Sequence, residues 1–319
     1  MHRTDDESKG DALLALSAMH GLGNSVKRPF YIESLIRCMH PTRPHRVRHT
    51  ALRAVCEVRE ELASMTSASP RNLDARLLNG LSRALLTAVR PNVHQTTYTG
   101  PDTTFYVNRD SCYILLLYAL TKNDEWCQRL TRHGHLDQCT ALLGGFSYSS
   151  VIVMRIETPW NSTGHGVTVE FYFLVIFGRI KSLAKDIPFS PAENLEWLLL
   201  IARTWDNASL RIKDDDYVDG IPAVVTATKL DLTASDDGVP REWLVDVAAK
   251  VHVALVNLRE RQGELVNKGI AQAAIDDALS SMERLHTEFS HMVKQRSTLG
   301  NRGSLSDKYT EIRRSLDGF

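Results

Sequence analysis

Pro29 to Met65 reads PFYIESLIRCMHPTRPHRVRHTALRAVCEVREELASM. Ile32, Leu35, Ile36, Cys38 and Met39 recur at helical spacing, so Phe30 to His40 is expected as a helix. Pro29 opens it and it closes ahead of Pro41, because proline disfavours helix in the residue before it. Pro44 then starts a longer helix to about Met65, with Val47, Ala51, Ala54, Val55, Val58 and Leu62 along one stripe. The unit is helix, proline turn, helix.

The apolar cadence of the first helix returns at Leu78 (Leu81, Ala84, Leu85), 46 residues after Ile32. It returns again at Leu136 (Cys139, Leu142, Leu143) and at Ile221 (Val224, Val225, Ala227), these two starts lying 85 residues apart. Further helices are expected over Asp11–His20, Leu73–Arg90, Asn108–Thr121, Asn123–His133, Leu136–Leu143 and Leu195–Trp205, with loops over Pro91–Val107 and Arg211–Asp219. Leu244, Val247, Val251, Ala254 and Leu258 step at heptad spacing, as do Ile275, Ala278, Met282, Leu285, Phe289 and Met292. Two such helices, broken between Gly263 and Gly269, make an antiparallel hairpin. Ser297 to Phe319 is polar and is expected as a mobile end with one helical turn.

Three places carry a resemblance to the armadillo/HEAT superfamily. Val47-Arg48-x-x-Ala51-Leu52-Arg53 resembles the start of a HEAT second helix. Asn123-x-x-Trp126-x-x-x-Leu130 followed by Gly134-x-Leu136-x-x-Cys139-x-x-Leu142-Leu143 looks like the third helix of one armadillo repeat leading into the next. Asp219-Gly220-Ile221-Pro222-Ala223-Val224-Val225 is similar to the glycine, apolar, proline start of such a repeat, with Gly134 and Gly220 fitting left-handed turns. The spacings agree with a period of about 40–47 residues. The resemblance covers 28–66, 108–143 and 195–232. It implies an all-α right-handed superhelix, or solenoid, whose concave face presents side chains to a partner, with inner helices at Pro44–Met65, Leu73–Arg90 and Leu195–Trp205.

The expected organisation is an N-terminal polar segment and short helix over 1–27 and helical repeats over 28–235. An atypical insertion at 144–177, a helical hairpin over 236–296 that caps the array, and the tail at 297–319 complete it. Inside the insertion, Val151–Ile156 and Val167–Phe173 are β-branched and aromatic runs between Gly and Pro punctuation, read on propensity as a small β-hairpin. A functional insertion, a helix with strand-favouring residues, and translated intron sequence are the three explanations.

The 319 residues are 43% hydrophobic and carry 38 basic and 38 acidic side chains, so net charge gives no general affinity for nucleic acid. Met1 to Gly10 lacks the apolar run of a secretory signal. The most apolar run, Val167–Phe177, contains Glu170 and falls short of the ~20 residues of a membrane-spanning helix. Five cysteines on helical patterns read as free thiols of a reducing compartment, cytoplasm or nucleus.

No strong catalytic motif is present. Asp214-Asp-Asp216-Tyr-Val-Asp219-Gly220 has calcium-loop character, but Val218 occupies a ligand position and the glycine comes one place late, so a solvated turn ahead of a helix is expected. His45 with His49, and Cys127, His133, His135 and Cys139, are loose groups without metal-site spacing, so neither metal nor cofactor is expected. Arg43, His45, Arg46, Arg48, His49 and Arg53 form a basic cluster in which Arg46, His49 and Arg53 share one helical stripe; Arg43, Arg46, His49 and Arg53 are the candidate partner-binding residues. Peptide-binding armadillo proteins of the nuclear-import type place tryptophan and asparagine one turn apart. Here Trp126, Trp197, Trp205 and Trp243 precede Leu130, Ile201, Ser209 and Val247, so that ladder is missing. The expected function is a non-catalytic protein-interaction scaffold; its oligomeric state is not read from the sequence, with a monomer favoured and dimerisation through the 236–296 helix pair as the alternative to capping. The alternatives are nucleic-acid or phospho-ligand binding through Arg43–Arg53, and a metal-dependent enzyme using His133 and His135.

Overall fold

A computed structural model describes residues 29–65, 75–89, 103–139, 169–183, 195–234, 239–296 and 304–317. All of these residues lie in helices or the turns joining them, and no strand occurs among them. The chain divides into two compact units at Ile156/Glu157. The division falls inside the span 28–235.

In the first unit α1 (Pro29–Cys38) and α2 (His45–Glu57) flank the proline turn, as the punctuation predicts. Tyr31, Ile32, Leu35 and Met39 bury one stripe of the first hairpin helix, and Val47, Ala51, Leu52, Ala54 and Val55 one stripe of the second. The long helix expected to Met65 breaks at Val58, where φ is −107° and ψ 19°, and resumes as α3 (Arg59–Ala63). Arg59 Nη1 donates to the Cys56 carbonyl at the break, 3.0 Å, supplying a partner where the helical ladder is interrupted. α4 (Ala75–Ala88), α5 (Thr103–Leu120) and α6 (Asp124–Arg132) follow. α5 begins five residues inside the stretch expected as loop. Asn123 caps α6, its Oδ1 accepting from Glu125 N at 2.9 Å, and Gly134, at φ +79°, turns the chain into helical residues 135–139. α1 lies against α4, α2 against α5 and α4, and α6 against α4.

The second unit comprises α7 (Val169–Leu183), α8 (Leu195–Arg211), α9 (Asp214–Ala234), α10 (Arg241–Glu260), the short α11 (Gln262–Asn267), α12 (Gln272–Arg296) and α13 (Ser304–Asp317). α7 lies on α9 and α9 on α12, while α8 lies on α10 and α10 on α13. α10 also packs along α12, antiparallel, with Trp243 beside Phe289 and Arg259 paired to Glu283. The two heptad seams meet as predicted. Gly269, at φ +90°, supplies the turn before α12.

Four expectations are corrected. Residues 169–173 are helical, not a strand; Val151–Ile156 lies outside the described residues. Phe171 to Phe177 are each no more than 2% exposed, so the β-branched and aromatic content reflects burial on every side. Asp219-Gly220-Ile221-Pro222 does not begin a helix but lies inside α9, which starts at Asp214 within the expected loop. Gly220 is there for close packing rather than for a left-handed turn, since an added Cβ would meet Phe171 Cζ at 2.6 Å. The tail expected as mobile holds the fourteen-residue α13, whose Tyr309 is 1% exposed.

Candidate functional site

The candidate partner-binding residues lie on α2 and in the turn before it. Arg43 is half-buried in the turn after α1. Arg46 and His45 sit in the first turn of α2, and their side chains lie outside the described residues. His49 and Arg53 are half-buried on the less buried side of α2. Arg48, in the same cluster, turns inward: it is 7% exposed and donates from Nη1 to the Thr87 carbonyl at 2.7 Å, tying α2 to the end of α4.

His133 and His135 come together on Ser82 of α4. Tyr113 O–H donates to His135 Nδ1 at 2.7 Å, and His135 Nε2–H donates to the Ser82 carbonyl at 2.9 Å. The carbonyl can only accept, so the neutral ring carries its proton on Nε2. Ser82 O–H is left to donate to His133 Nδ1, 2.9 Å away. Burial pushes His135 down to about 3, the Ser82 carbonyl opposing and His133 adding to the shift. Ser82, Tyr113 and His135 are all 0% exposed, and both nitrogens of His135 are engaged. This is a buried joint between α4, α5 and helical residues 135–139.

The other loose groups resolve similarly. Cys127 Sγ donates to the Thr121 carbonyl at 3.3 Å, and burial raises the Cys139 thiol well above its ordinary range. Asp214 accepts from Arg261 at 2.5 Å and Lys268 at 2.8 Å, beside a half-open cleft of about 550 Å³ that Lys213, Asp215 and Asp219 also line. Its carboxylate is committed to two cations, and Val218 points inward at 1% exposure. Among the described residues no three His, Cys, Asp or Glu side chains lie close enough to hold a metal ion.

The outer face of α10 is different in kind. Leu244, Val247, Val251, Ala254 and Leu258 bury the inner seam against α12 and α8. A second heptad seam, Val245, Ala249, His252 and Val256, runs along the opposite side. Val245 is 43% exposed and the flanking Val253 57%, among the few large apolar side chains left open. His252 lies in this stripe, its ring 5.0 Å from that of His286 on α12. Burial, then the neighbouring His252, holds His286 below the ordinary imidazole range. Glu242 and Arg259 close the seam at its two ends, each one heptad step beyond the last apolar member. Reading only the inner seam hid this second one, whose spacing of four, three and four residues was visible in the sequence.

Comparison with protein-family models, with curated proteins and with solved structures finds no match for this chain. Among the described residues no helix is long and apolar enough to cross a membrane.

Proposed function

We propose that this protein is a non-catalytic interaction scaffold, an armadillo/HEAT-like stack of helical hairpins that docks an amphipathic helix of a partner protein on the outer face of α10. The observation that carries this reading is the second heptad seam, with Val245, Ala249 and His252 exposed beside Val253 and Val256 half-buried. Its spacing of four, three and four residues is that of a surface made to receive a helix ridge, and a contiguous apolar stripe is more than scattered surface valine. Small Ala249 in the middle allows close approach of a partner backbone. The side-by-side order α7–α9–α12 and α8–α10–α13 supports the repeat reading in the second unit. The α1–α4 and α2–α5 pairs support it in the first. Free thiols support an intracellular setting, cytoplasm or nucleus.

The test compares proteins retained from the native cell extract by the wild type and by V245D/V253D, with each candidate then made recombinantly and its affinity measured. Both positions are exposed, so the variant should keep the wild-type circular dichroism. The reading expects a helical partner whose direct affinity falls at least tenfold in V245D/V253D and is unchanged in R46E/R53E. Partners bound equally by V245D/V253D overturn it. Binding lost instead in R46E/R53E, and steeply salt-dependent, assigns the function to a phosphate-bearing ligand.

A further inference from the structure

His252 of α10 and His286 of α12 bring two imidazoles together across the antiparallel helix pair, with ring centroids 5.0 Å apart. The helices are held on both sides of this contact. Trp243 lies beside Phe289 with centroids 5.9 Å apart, and Arg259 pairs with Glu283 at 2.5 Å. His252 falls between Trp243 and Arg259 on α10, and His286 between Glu283 and Phe289 on α12, so the packing that fixes the helices also fixes the backbones of the two histidines. His252 is exposed and His286 half-buried, and neither ring has a hydrogen bond among the described residues. We propose that His252 and His286 form a two-imidazole site for a borderline divalent metal ion of the zinc class, clamping α10 to α12 at the surface of the second unit.

The spacing suits one shared ion. Zinc binds imidazole nitrogen at about 2.0–2.1 Å in tetrahedral geometry, which puts the centres of two rings on one ion about 5 Å apart. The ring planes lie 35° from one another, neither a flat stack nor an edge-on contact. Imidazole rotates broadly about its last side-chain bond, so two rings without hydrogen bonds can each turn a nitrogen towards a common point. A ligand nitrogen must be unprotonated, and burial, then His252, holds His286 below the ordinary imidazole range. Two imidazoles select the zinc, nickel and copper series over magnesium and calcium, which take oxygen ligands. The other histidine pair offers no such site, because both nitrogens of His135 are engaged by Tyr113 and Ser82.

The chain supplies two ligands here and no third. Glu283 and Glu288 flank His286 on α12, but they are paired with Arg259 and Lys229, each at 2.5 Å. No cluster of three ligating side chains forms among the described residues, which leaves the other coordination positions to water. His252 belongs to the outer seam of α10. On the docking reading of that seam, a histidine, cysteine or carboxylate of the partner helix replaces one of those waters. That step alone rests on the docking reading; zinc binding by the protein on its own does not depend on it.

Full-length protein without a histidine tag is titrated with zinc chloride by calorimetry and equilibrium dialysis, beside His252→Gln and His286→Gln. The wild type should bind one more equivalent of zinc than either variant, or bind that equivalent at least tenfold more tightly. Amide exchange should slow on adding zinc around His252 and around His286 together, since the ion binds only the folded pair. Both variants should lose this slowing, and calcium chloride should not produce it. The inference is overturned if either variant binds zinc with wild-type stoichiometry and affinity, if exchange slows on only one of the two helices, or if calcium acts as zinc does. His252 is exposed, so His252→Gln with wild-type circular dichroism decides the matter even should His286→Gln fold poorly.

Discussion

The first unit ties its helices through buried histidine, serine and arginine side chains, whereas in the second aromatic rings lie between the helices, and Trp205 and Trp243 donate across them to Thr228 Oγ1 and the Leu198 carbonyl. In the first, His135, Ser82 and Tyr113 close a sealed joint and Arg48 reaches the Thr87 carbonyl. Arg129, 6% exposed, bonds Asn79 and Glu125 while lying over the Trp126 ring. In the second, Phe173, Phe177 and Trp197 cluster with ring centroids 4.7 to 5.9 Å apart, and Phe171 stacks on Tyr217. Buried Thr204 and Thr228 also donate to carbonyls of their own helices. One kind of interior depends on protonation and the other on shape.

The largest effect should come from attacking shape where α7 meets α9. A Cβ on Gly178 would lie 1.9 Å from the Ala223 carbonyl oxygen, a backbone atom that cannot swing aside. Gly178→Ala should cost about 3 kcal/mol or more, since overpacking here must separate two helix backbones. Hydrogen exchange should accelerate across Val169–Leu183 and Asp214–Ala234 while Tyr113 to Leu130 keeps its protection. Equal loss in both units would dissolve the contrast.

Protonation should break the first unit next. His135 is neutral in the fold with its pKa near 3, whereas the unfolded chain takes up the proton near 6.5. The unfolded state therefore binds more protons below 6.5. The joint's contribution is complete above that pH and is lost as pH falls from 6.5 towards 3. By pH 4 the loss amounts to about 3 kcal/mol, and His135→Gln should flatten it. Asp214 and Asp246 in the second unit work in another window. Burial raises each, but bonds from Lys268 and Arg261 to one and from Arg313 to the other bring both below the ordinary carboxylate value. Their contribution is full above that ordinary value and lost below it. Urea midpoints of the two units, followed by exchange at pH 7, 5.5 and 4, separate the windows.

How far the sequence anticipated these interiors depends on whether a signal is local. Proline at 29, 41 and 44 marks α1 and α2, Asn123 and Gly134 bracket α6, and heptads mark α10 and α12; in each the deciding residues lie within a few turns of one another. α7 was misread because Val, Phe and Tyr are chosen there for burial on all sides, which resembles strand propensity. α13 was missed because a helix with one buried stripe, Tyr309 and Ser306, is mostly polar in composition. The Ser82–His135 joint spans 53 residues, and the Arg48–Thr87 bond spans 39. Only packing brings such pairs together. Arg48 shows the limit most finely, since the cluster Arg46, Arg48, Arg53 contains one buried anchor that composition does not distinguish.

A smaller effect tests whether the rim of the second unit holds anything in place. Asp246 accepts from Tyr309 at 2.8 Å and pairs with Arg313, both on α13, and with Lys250 on its own helix at 3.4 Å. Its side chain is 10% exposed, so these are partly desolvated bonds to a charge. Asp246→Asn should cost about 1–2 kcal/mol and free α13 first, read as faster exchange over Ser304–Asp317 with α8, α9 and α12 unchanged.

Asp214 offers the control for that claim, because it has the same inventory in a wetter place. It too meets two cations, yet its side chain is 23% exposed and Arg261 29%. Water competes for both ends of the pair, and the side chains lose rotamer freedom in making it. Asp214→Asn should therefore cost only about 0.5 kcal/mol, a difference that 1 M sodium chloride reduces further. If Asp214→Asn instead matched Asp246→Asn in denaturant midpoint and resisted salt, exposure would not rank these pairs. The rim would then be holding the second unit together as firmly as its rings.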